Sequence, residues 1–240
     1  MGDIRDKTAV VTGATRGIGL AVSRALLARG ARVFICSRNE ADVERIVSDL
    51  NREHPDRVHG AACDVRSHDE VHSLFESVRH AFGSLDILVN NAGIGSRSYV
   101  EQMSVQEWNA TIETNISGVF YCCREAIPLI KANGGGDIIN IGSLAGKHAS
   151  AGSAAYCASK FALVGFSEAL MQEVRFDHIR VSHLMPGSVN TSFSRGGGQD
   201  PTQTWKLSPE DVAATVINLL EMDPRALISQ VEIRPSEPKK

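Results

Sequence analysis

Short apolar runs alternate along this chain with longer segments whose apolar residues recur at helical spacing. Each run has five to eight residues, the usual length of a strand, and several are apolar at nearly every position. The predicted strands are residues 8–12, 32–36, 58–63, 85–90, 137–141, 179–184 and 226–233. Strands that are apolar throughout are typical of a sheet covered by helices on both faces.

The segments between the strands carry the pattern of helices. The first of them has apolar residues three and four positions apart, which places them on one helix face. These residues are Ile18, Ala21, Val22, Ala25 and Leu26. Gly30 follows this helix, and glycine commonly ends a helix. In a later helix, predicted over residues 107–132, Pro128 is expected to cause a bend.

Repeated strand–helix–strand units predict a parallel sheet with right-handed crossovers. No internal repeat and no linker divides the sequence. We therefore predict an α/β fold: a single doubly wound, Rossmann-type domain over residues 1–240, with helices on both faces of a seven-stranded parallel sheet. The long irregular segment at residues 188–207 is expected to form a mobile lid over the substrate, because loops of this length are usually functional.

Composition narrows the partners and the compartment. A net charge of −3 gives no reason to expect nucleic acid or a membrane surface as the main partner. No apolar run approaches the roughly 20 residues that span a bilayer, and the start lacks the apolar core of a signal peptide. The five cysteines lack metal-type spacing and predict buried free thiols, so we expect a cytoplasmic protein without a bound metal.

Three glycines, Gly13, Gly17 and Gly19, lie between the first strand and the first helix. Glycines at this junction permit a tight turn and close backbone approach, while the free N–H groups at the helix start attract a pyrophosphate. Their G-x3-G-x-G spacing differs from the commonest dinucleotide-binding motif. The same glycines would also suit a tight turn that binds no ligand.

The end of the second strand indicates which nucleotide the turn would hold. NAD-binding proteins usually place an acidic residue there to bond the ribose 2′-hydroxyl. This chain has Ser37 and Arg38 instead, with Arg16 nearby, which favours the 2′-phosphate of NADP(H) over NAD(H). The arginines would alternatively be solvated surface charges. Asp64 would accept a hydrogen bond from the adenine amino group, or it would cap the next helix.

Tyr156 and Lys160 lie four positions apart in the segment AAYCASKFAL and therefore share one helix face. A cation beside the phenol would lower its pKa and prepare it for proton transfer. The alternative is a partly buried phenol beside a lysine that extends to solvent.

These motifs, in the order in which they occur, resemble those of the short-chain dehydrogenase/reductase family. The matching segments are TGATRGIG (12–19), NNAG (90–93), Asn115, Ser143, YCASK (156–160) and PG (186–187). The resemblance spans essentially the whole chain. Within the family, the chain is similar to 3-oxoacyl-carrier-protein reductases and related carbonyl reductases. It implies an NADP-dependent oxidoreductase whose substrate is a carbonyl compound or a secondary alcohol, such as a 3-oxoacyl thioester or another ketone.

The resemblance also assigns a role to each of four catalytic residues. Tyr156 would be the general acid for carbonyl reduction and the general base for alcohol oxidation. Lys160 would support the phenol and bond the nicotinamide ribose, Ser143 would hold the substrate oxygen, and Asn115 would position water and Lys160 in a proton relay. Ser143 and Asn115 would alternatively serve only local backbone groups.

The predicted cofactor site combines the glycine turn, the second strand and the family motifs. Pro186, Gly187 and Val189 would face the nicotinamide, and Thr191 would contact its carboxamide. The predicted cofactor-binding residues are Gly13, Thr15, Arg16, Gly17, Ile18, Gly19, Ser37, Arg38, Asp64, Val65, Asn91, Ala92, Gly93, Tyr156, Lys160, Pro186, Gly187, Val189 and Thr191.

Two features depart from the 3-oxoacyl-carrier-protein reductases. Asp177 stands near the position where those enzymes usually carry a basic residue for their acidic carrier, and the chain ends in VEIRPSEPKK without their glycine-rich end. Two other functions remain open: a non-catalytic nucleotide sensor or structural subunit, and an NAD-dependent alcohol oxidase, which would need the acid missing near position 37.

The family resemblance further implies a homotetramer or a homodimer. The subunits would pack through the helices around residues 105–132 and 155–176. The predicted contact faces include Val119, Phe120, Phe161 and Phe166.

Overall fold

The computed structural model describes residues 2–191, 193, 200 and 202–238. Its strands are β1 (Thr8–Thr12), β2 (Arg32–Ser37), β3 (Val58–Ala62), β4 (Ile87–Asn90), β5 (Gly136–Ile141), β6 (Ile179–Pro186) and β7 (Gln230–Ile233). Its α-helices are α1 (Gly17–Ala28), α2 (Glu40–Glu53), α3 (His68–Phe82), α4 (Val105–Ile112), α5 (Gly118–Ala132), α6 (Ala154–Val174) and α7 (Pro209–Leu220). A π-helical turn (Glu113–Ser117) joins α4 to α5, and short 3-10 turns lie at Leu144–Gly146 and Arg175–Asp177.

All seven strands are parallel and lie in the order β3-β2-β1-β4-β5-β6-β7. The chain builds outward from β1 to β3 and then returns to place β4 on the other side of β1. At such a reversal the connections leave toward opposite faces, which opens a crevice at the carboxyl ends of the two strands. The predicted α/β fold with a seven-stranded parallel sheet is confirmed.

The central strand β1 shows why both faces of the sheet are covered. Each of its residues is buried, and alternate side chains point to opposite faces. Ala9 and Val11 pack with α1, α2 and α7, whereas Val10 packs with α3, α5 and α6. No helix in the described part of the chain is long and apolar enough to cross a membrane.

The predicted strands agree with the observed ones to within two residues at each end, except at the start of β7. The apolar run predicts a strand from residue 226, but β7 begins at Gln230. Arg180 explains the difference, because its guanidinium donates hydrogen bonds to the carbonyls of Met222 and Ala226 and pairs with Asp137. These bonds hold the chain around the arginine instead of extended along β6.

The helix predicted over residues 107–132 is interrupted by the π-helical turn, which no feature of the sequence indicated. Pro128 lies inside α5, which continues to Ala132. The interruption falls at Asn115, one of the predicted catalytic residues, and π-helical turns are frequent at functional sites.

A chain of buried polar side chains crosses the middle of the sheet onto α6. The Asn90 amide donates to Asn140 Oδ1 at 2.8 Å, and the Asn140 amide donates to Ser167 Oγ at 2.9 Å. The Ser167 hydroxyl donates in turn to the Leu163 carbonyl at 2.7 Å. Since buried polar groups are costly when unpaired, this chain fixes the position of α6 against β4 and β5.

Replacing Asn140 with alanine is expected to lower the free energy of unfolding by about 2 kcal/mol, because it removes bonds to two buried partners. Ser167→Ala is the comparison variant; it removes the bond accepted from Asn140 and the bond donated to the Leu163 carbonyl but keeps the bond between Asn90 and Asn140, and it is expected to cost less, about 1 kcal/mol. Urea denaturation of both variants measures the difference. Equal losses would show that the chain of bonds does not act through Asn140.

Candidate active site

The turn after β1 brings one backbone against another. Gly13 and Gly17 have φ values of +64° and +54°, in the left-handed region that favours glycine. A Cβ added to Gly13 would lie 2.9 Å from the Cα of Ala92, just past β4. The tight turn predicted from the glycine motif is therefore present, and it passes directly over the end of the neighbouring strand.

Two side chains fasten this turn to the end of β4. The Thr12 hydroxyl accepts hydrogen bonds from the backbone N–H groups of Asn91 and Ala92, each at 3.0 Å. The Asn91 amide donates to the carbonyls of Thr12 and Gly13 at 2.9 and 3.0 Å. Gly19 lies beneath the turn, where an added Cβ would overlap the Asn91 amide, so its part is to support the turn from below.

The N-terminus of α1 is open to an anion. Among the described residues no side chain caps its first turn, and that turn contains no acidic residue. In α2, by contrast, the Asn39 side chain accepts from the Asp42 N–H, and Ser67, Ser104 and Ser208 cap α3, α4 and α7 in the same way. The free donors and the helix dipole of α1 suit the pyrophosphate of a dinucleotide.

The end of β2 carries the residues predicted to choose the nucleotide. Ser37, Arg38 and Arg16 line one cavity with the glycine turn, and both arginine side chains are exposed. In the part of the chain that the structure describes, neither arginine pairs with a carboxylate. Their charges are therefore available to a phosphate, as the sequence predicts for NADP(H).

Asp64 also lines this cavity, close to the end of β3. The Arg66 guanidinium bonds its carboxylate at 2.6 to 3.0 Å and holds the pKa of Asp64 below its usual value. Asp64 is therefore an ionised acceptor at neutral pH. The alternative role as helix cap is wrong, because Ser67 caps α3 by accepting from the Glu70 N–H.

Tyr156 and Ser143 meet at the other end of the cavity. Both side chains line the cavity, and Ser143 accepts a hydrogen bond from the Ala145 N–H at 3.1 Å. Burial raises the pKa of Tyr156, and this effect outweighs the lowering by the neighbouring Ser143 hydroxyl. The phenol is thus protonated at neutral pH in this structure.

Lys160 lies inside the protein. It does not extend to solvent, which was the alternative that the sequence left open. It is 5% exposed, its ammonium donates to the Ile141 carbonyl at 3.1 Å, and its Nζ lies 5.8 Å from the centre of the Tyr156 ring. Burial lowers the pKa of Lys160 to about 8. The predicted lowering of the phenol pKa by this cation is not observed, because burial of the phenol raises the pKa of Tyr156.

Asn115 stands behind the cavity wall in the π-helical turn. Its amide bonds the backbone of Ile94 on both sides, with Oδ1 accepting at 2.9 Å and Nδ2 donating at 2.9 Å. It also donates to the Ser159 hydroxyl at 3.0 Å, next to Lys160 in α6. The side chain thus ties the segment after β4 to the helix that carries Lys160. This agrees with the alternative that Asn115 serves local backbone groups. Its predicted part in a proton relay stays a prediction.

The cavity has a volume of about 420 Å³ and gathers the predicted site. Its wall includes every predicted cofactor-binding residue except Gly19, and every predicted catalytic residue except Asn115. Wall residues that the sequence did not indicate are Cys36, Cys63, Ile94, Thr114, Ile141, Gly142, Ser188 and Lys206. Ile94 and Thr114 adjoin the NNAG motif and Asn115, so their place next to these motifs could have indicated them. Lys206 lies in the variable segment, where no motif indicates it.

The predicted substrate loop is described at its two ends and at Phe193. Residues 192, 194–199 and 201, with the glycines at 196–198, lie outside the described residues, so the predicted lid stays a prediction. At the base, the Asn190 amide donates to the Asp200 carbonyl at 2.8 Å and accepts from its N–H at 3.0 Å. The Phe193 ring centre lies 5.9 Å from that of Tyr156, and a Cβ added to Gly95 would lie 2.9 Å from Phe193 Cε1.

The described residues contain no group of three or more His, Cys, Asp or Glu side chains placed to hold a metal ion. Within the same residues all five cysteines are buried free thiols.

Comparison with known proteins places this architecture among dehydrogenases. The family model described as short chain dehydrogenase matches residues 7–201. An uncharacterized oxidoreductase of Staphylococcus aureus is 32% identical over 232 residues, which cover 97% of this chain and 98% of that protein. One of Staphylococcus saprophyticus is 33% identical over 235 residues, which cover 98% of this chain and all of the relative (100%).

Two solved structures share the fold over the whole chain. An alcohol dehydrogenase from the archaeon Thermococcus sibiricus, complexed with 5-hydroxy-NADP, aligns with a TM-score of 0.90 at 28% identity and covers 98% of this chain and 99% of its own. A metagenomic short-chain oxidoreductase in complex with NADP aligns with a TM-score of 0.85 at 34% identity. The alignment covers 98% of this chain and 100% of that protein.

A buried histidine lies directly behind the backbone that leads to Ser143. His183 on β6 is 1% exposed, and neither ring nitrogen has a hydrogen-bond partner among the described residues. A Cβ added to Gly142 would overlap its Nε2, so the ring supports the backbone just before Ser143. Burial, together with the charges of Lys160 and Lys147, lowers the pKa of His183 to about 4.

This depressed pKa predicts a pH-dependent stability. An unfolded histidine has a pKa of about 6.5, so between pH 6.5 and 4 the unfolded state binds the extra proton and stability falls as pH falls. The loss is expected to be on the order of 3 kcal/mol across that window and absent in His183→Leu. Urea denaturation at several pH values measures both slopes, with the exposed-site variant His80→Gln as control. Identical slopes in His183→Leu and the parent would contradict the expectation.

Proposed function

The chain belongs to the short-chain dehydrogenase family, and on that premise we propose that it is an NADP(H)-dependent reductase of ketones or aldehydes. The reaction would interconvert a carbonyl compound and an alcohol by hydride transfer with the nicotinamide. The observation that carries the proposal is that Tyr156, Ser143 and Lys160 line the same cavity as the glycine turn.

The protonated phenol suits the reductive direction. Bound NADPH supplies the hydride that reduces the carbonyl carbon. The Tyr156 hydroxyl donates its proton to the carbonyl oxygen as that oxygen gains negative charge, because burial keeps the phenol protonated at neutral pH. The Ser143 hydroxyl holds the same oxygen close to the phenol and stabilises its charge.

Lys160 and Asn115 hold this arrangement from behind. Lys160 lines the cavity, and its ammonium would donate to the nicotinamide ribose hydroxyls and lend positive charge to the site. Asn115 acts as a positioning residue, since its amide fixes Ile94 and Ser159 on the two sides of the lysine.

The choice of NADP(H) rests on the end of β2. Arg38 and Arg16 offer unpaired charges beside Ser37, where an NAD-binding chain would place an acid. Both aligned solved structures contain NADP or a derivative of it, which supports the same nucleotide for this chain.

The substrate end of the cavity favours an uncharged carbonyl group with apolar neighbours. Ile94 and Phe193 line the cavity, and the Phe193 ring lies next to Tyr156. A 3-oxoacyl thioester is one candidate. Asp177, which departs from the carrier-protein reductases, is paired with Lys131 at 2.7 Å, so its charge is largely matched within the chain.

The proposal includes a homodimer or a homotetramer in the reducing cytoplasm. Phe120 and Phe161 on α5 and α6 are 44% and 46% exposed, which suits the contact faces predicted for these helices. Val119 does not fit that role, because it is buried in the core of its own subunit at 4% exposure. Five free thiols suit a reducing compartment.

Tyr156→Phe is expected to reduce turnover by about a thousandfold while NADPH binding persists, because the variant keeps the ring and loses the proton donor. Turnover is measured as NADPH and NADH oxidation with a panel of ketones, aldehydes and 3-oxoacyl thioesters. Tyr121→Phe on α5 is the matched control and should retain full activity. Undiminished turnover in Tyr156→Phe would refute the mechanism, and NADPH binding without turnover of any compound by the parent would favour the sensor.

Arg38→Gln is expected to weaken NADPH binding by about 10- to 100-fold and to leave NADH binding unchanged, since only NADPH carries the 2′-phosphate. Fluorescence titration with each nucleotide gives the two dissociation constants. Arg45→Gln removes a positive charge from α2 outside the cavity and should change neither constant. A parallel loss for both nucleotides would show that Arg38 does not read the 2′-phosphate.

A further inference from the structure

The turn that carries Ser143, between β5 and α6, is in close contact with other elements on both sides of the serine. Before it, Gly142 lies against the ring of His183 on β6. After it, a Cβ added to Gly146 would lie 2.7 Å from the carbonyl oxygen of Lys160 on α6. The position of the serine between β6 and α6 therefore depends on both contacts.

The ring of His183 is the reason that residue 142 is a glycine. A Cβ added to Gly142 would overlap the ring Nε2 and would lie 2.9 Å from both Cδ2 and Cε1. Gly142 does not have the positive φ that favours glycine elsewhere in the chain. Glycine is thus required here by the space that the ring occupies and not by the conformation of the backbone.

His183 acts on the turn through its shape. Neither ring nitrogen has a hydrogen-bond partner among the described residues, so within them no bond ties the ring to the turn. The main chain on both sides is fixed, because the His183 N–H donates to the Ser229 carbonyl at 2.8 Å and the Gly142 N–H donates to the Leu184 carbonyl at 2.7 Å. In a close-packed interior, the ring then limits how closely the turn approaches β6.

Any effect of His183 on the reaction must pass through the turn. The histidine is 1% exposed and is not part of the cavity wall, whereas Ser143 and Tyr156 both line the cavity. The two hydroxyls have to meet the same carbonyl oxygen. A displacement of one of them by about 1 Å is enough to slow such a reaction by about 100-fold.

We propose that His183 is a positioning residue for carbonyl reduction, and that its contact with Gly142 sets the distance between the hydroxyls of Ser143 and Tyr156. The proposal rests on the proposed function, which gives Ser143 its place beside the substrate oxygen. It predicts that changes at this contact lower kcat and leave the dissociation constant for NADPH unchanged, because the nucleotide end of the cavity lies away from the contact.

The test is a double-mutant cycle on the full-length protein. Gly142→Ala is expected to lower kcat by about 10- to 100-fold, because the added methyl group meets the ring and moves the turn. His183→Ala is expected to lower kcat by about tenfold, because the turn loses its support. In the double variant the methyl group enters the space that the ring has left, so kcat should be no lower than in His183→Ala.

Turnover is measured with NADPH and the ketone or aldehyde of the panel that the unaltered protein reduces fastest, and fluorescence titration gives the dissociation constant for NADPH. Ser182→Ala is the matched control. It removes a buried hydrogen bond to the Ile228 carbonyl from the neighbouring residue of β6, and it should change neither quantity. Thermal unfolding of each variant checks that the fold is retained.

A second measurement needs neither cofactor nor substrate. In protein isotopically labelled at tyrosine Cζ, the NMR resonance of Tyr156 is assigned by its loss in Tyr156→Phe. It should move in Gly142→Ala, because the neighbouring serine hydroxyl is displaced, and return toward its original position in the double variant. A purely structural role of the histidine would lower the stability of the variants without moving this resonance.

Two outcomes in an active enzyme would overturn the proposal: an unchanged kcat in His183→Ala, or losses in the double variant that equal the product of the two single losses. An equal weakening of NADPH binding would also overturn it, since the effect would then be general. If Gly142→Ala does not fold, the comparison of His183→Ala with Ser182→Ala decides. Failure of the unaltered protein to reduce any compound of the panel would overturn the proposed function, and this result differs from a failed cycle in an active enzyme.

Discussion

The attachment of the β1 end to the β4 end is the constraint on which the site depends. Thr12 and Asn91 exchange hydrogen bonds across the two strands, and Gly13 approaches Ala92 more closely than any side chain would permit. Because the sheet reverses its strand order at this point, the chain leaves the two strands toward opposite faces. The open N-terminus of α1 and the wall at Gly93 are thereby set on the two sides of one cavity.

Burial determines the chemistry at the far end of that cavity. Desolvation penalises the charged form of each group, so it raises the pKa of Tyr156 and lowers the pKa values of Lys160 and His183. The phenol consequently holds its proton, which a reductase needs when charge develops on the carbonyl oxygen. The same burial explains why the lysine alone does not acidify the phenol in this structure.

The two ends of the cavity differ in how firmly the fold holds the residues that form them. The nucleotide end is formed by strand ends and by a helix start, which the core holds rigidly. The substrate end is formed by the segment after β6, which is held by the Val189–Leu207 bridge and by the reciprocal Asn190–Asp200 bonds. Changes in this segment therefore leave the core packing intact.

The sequence by itself determined the sheet and the glycine turn, because strand length, helical spacing and glycine placement are local properties of the chain. With the family resemblance it also indicated most of the residues that line the cavity. It did not determine the π-helical turn at Asn115, the late start of β7 around Arg180, or the place of Lys206. Those features depend on bonds between residues far apart in the chain. Only the tertiary structure decided the protonation of Tyr156 and Lys160, because desolvation depends on everything packed around a group and not on its neighbours in sequence.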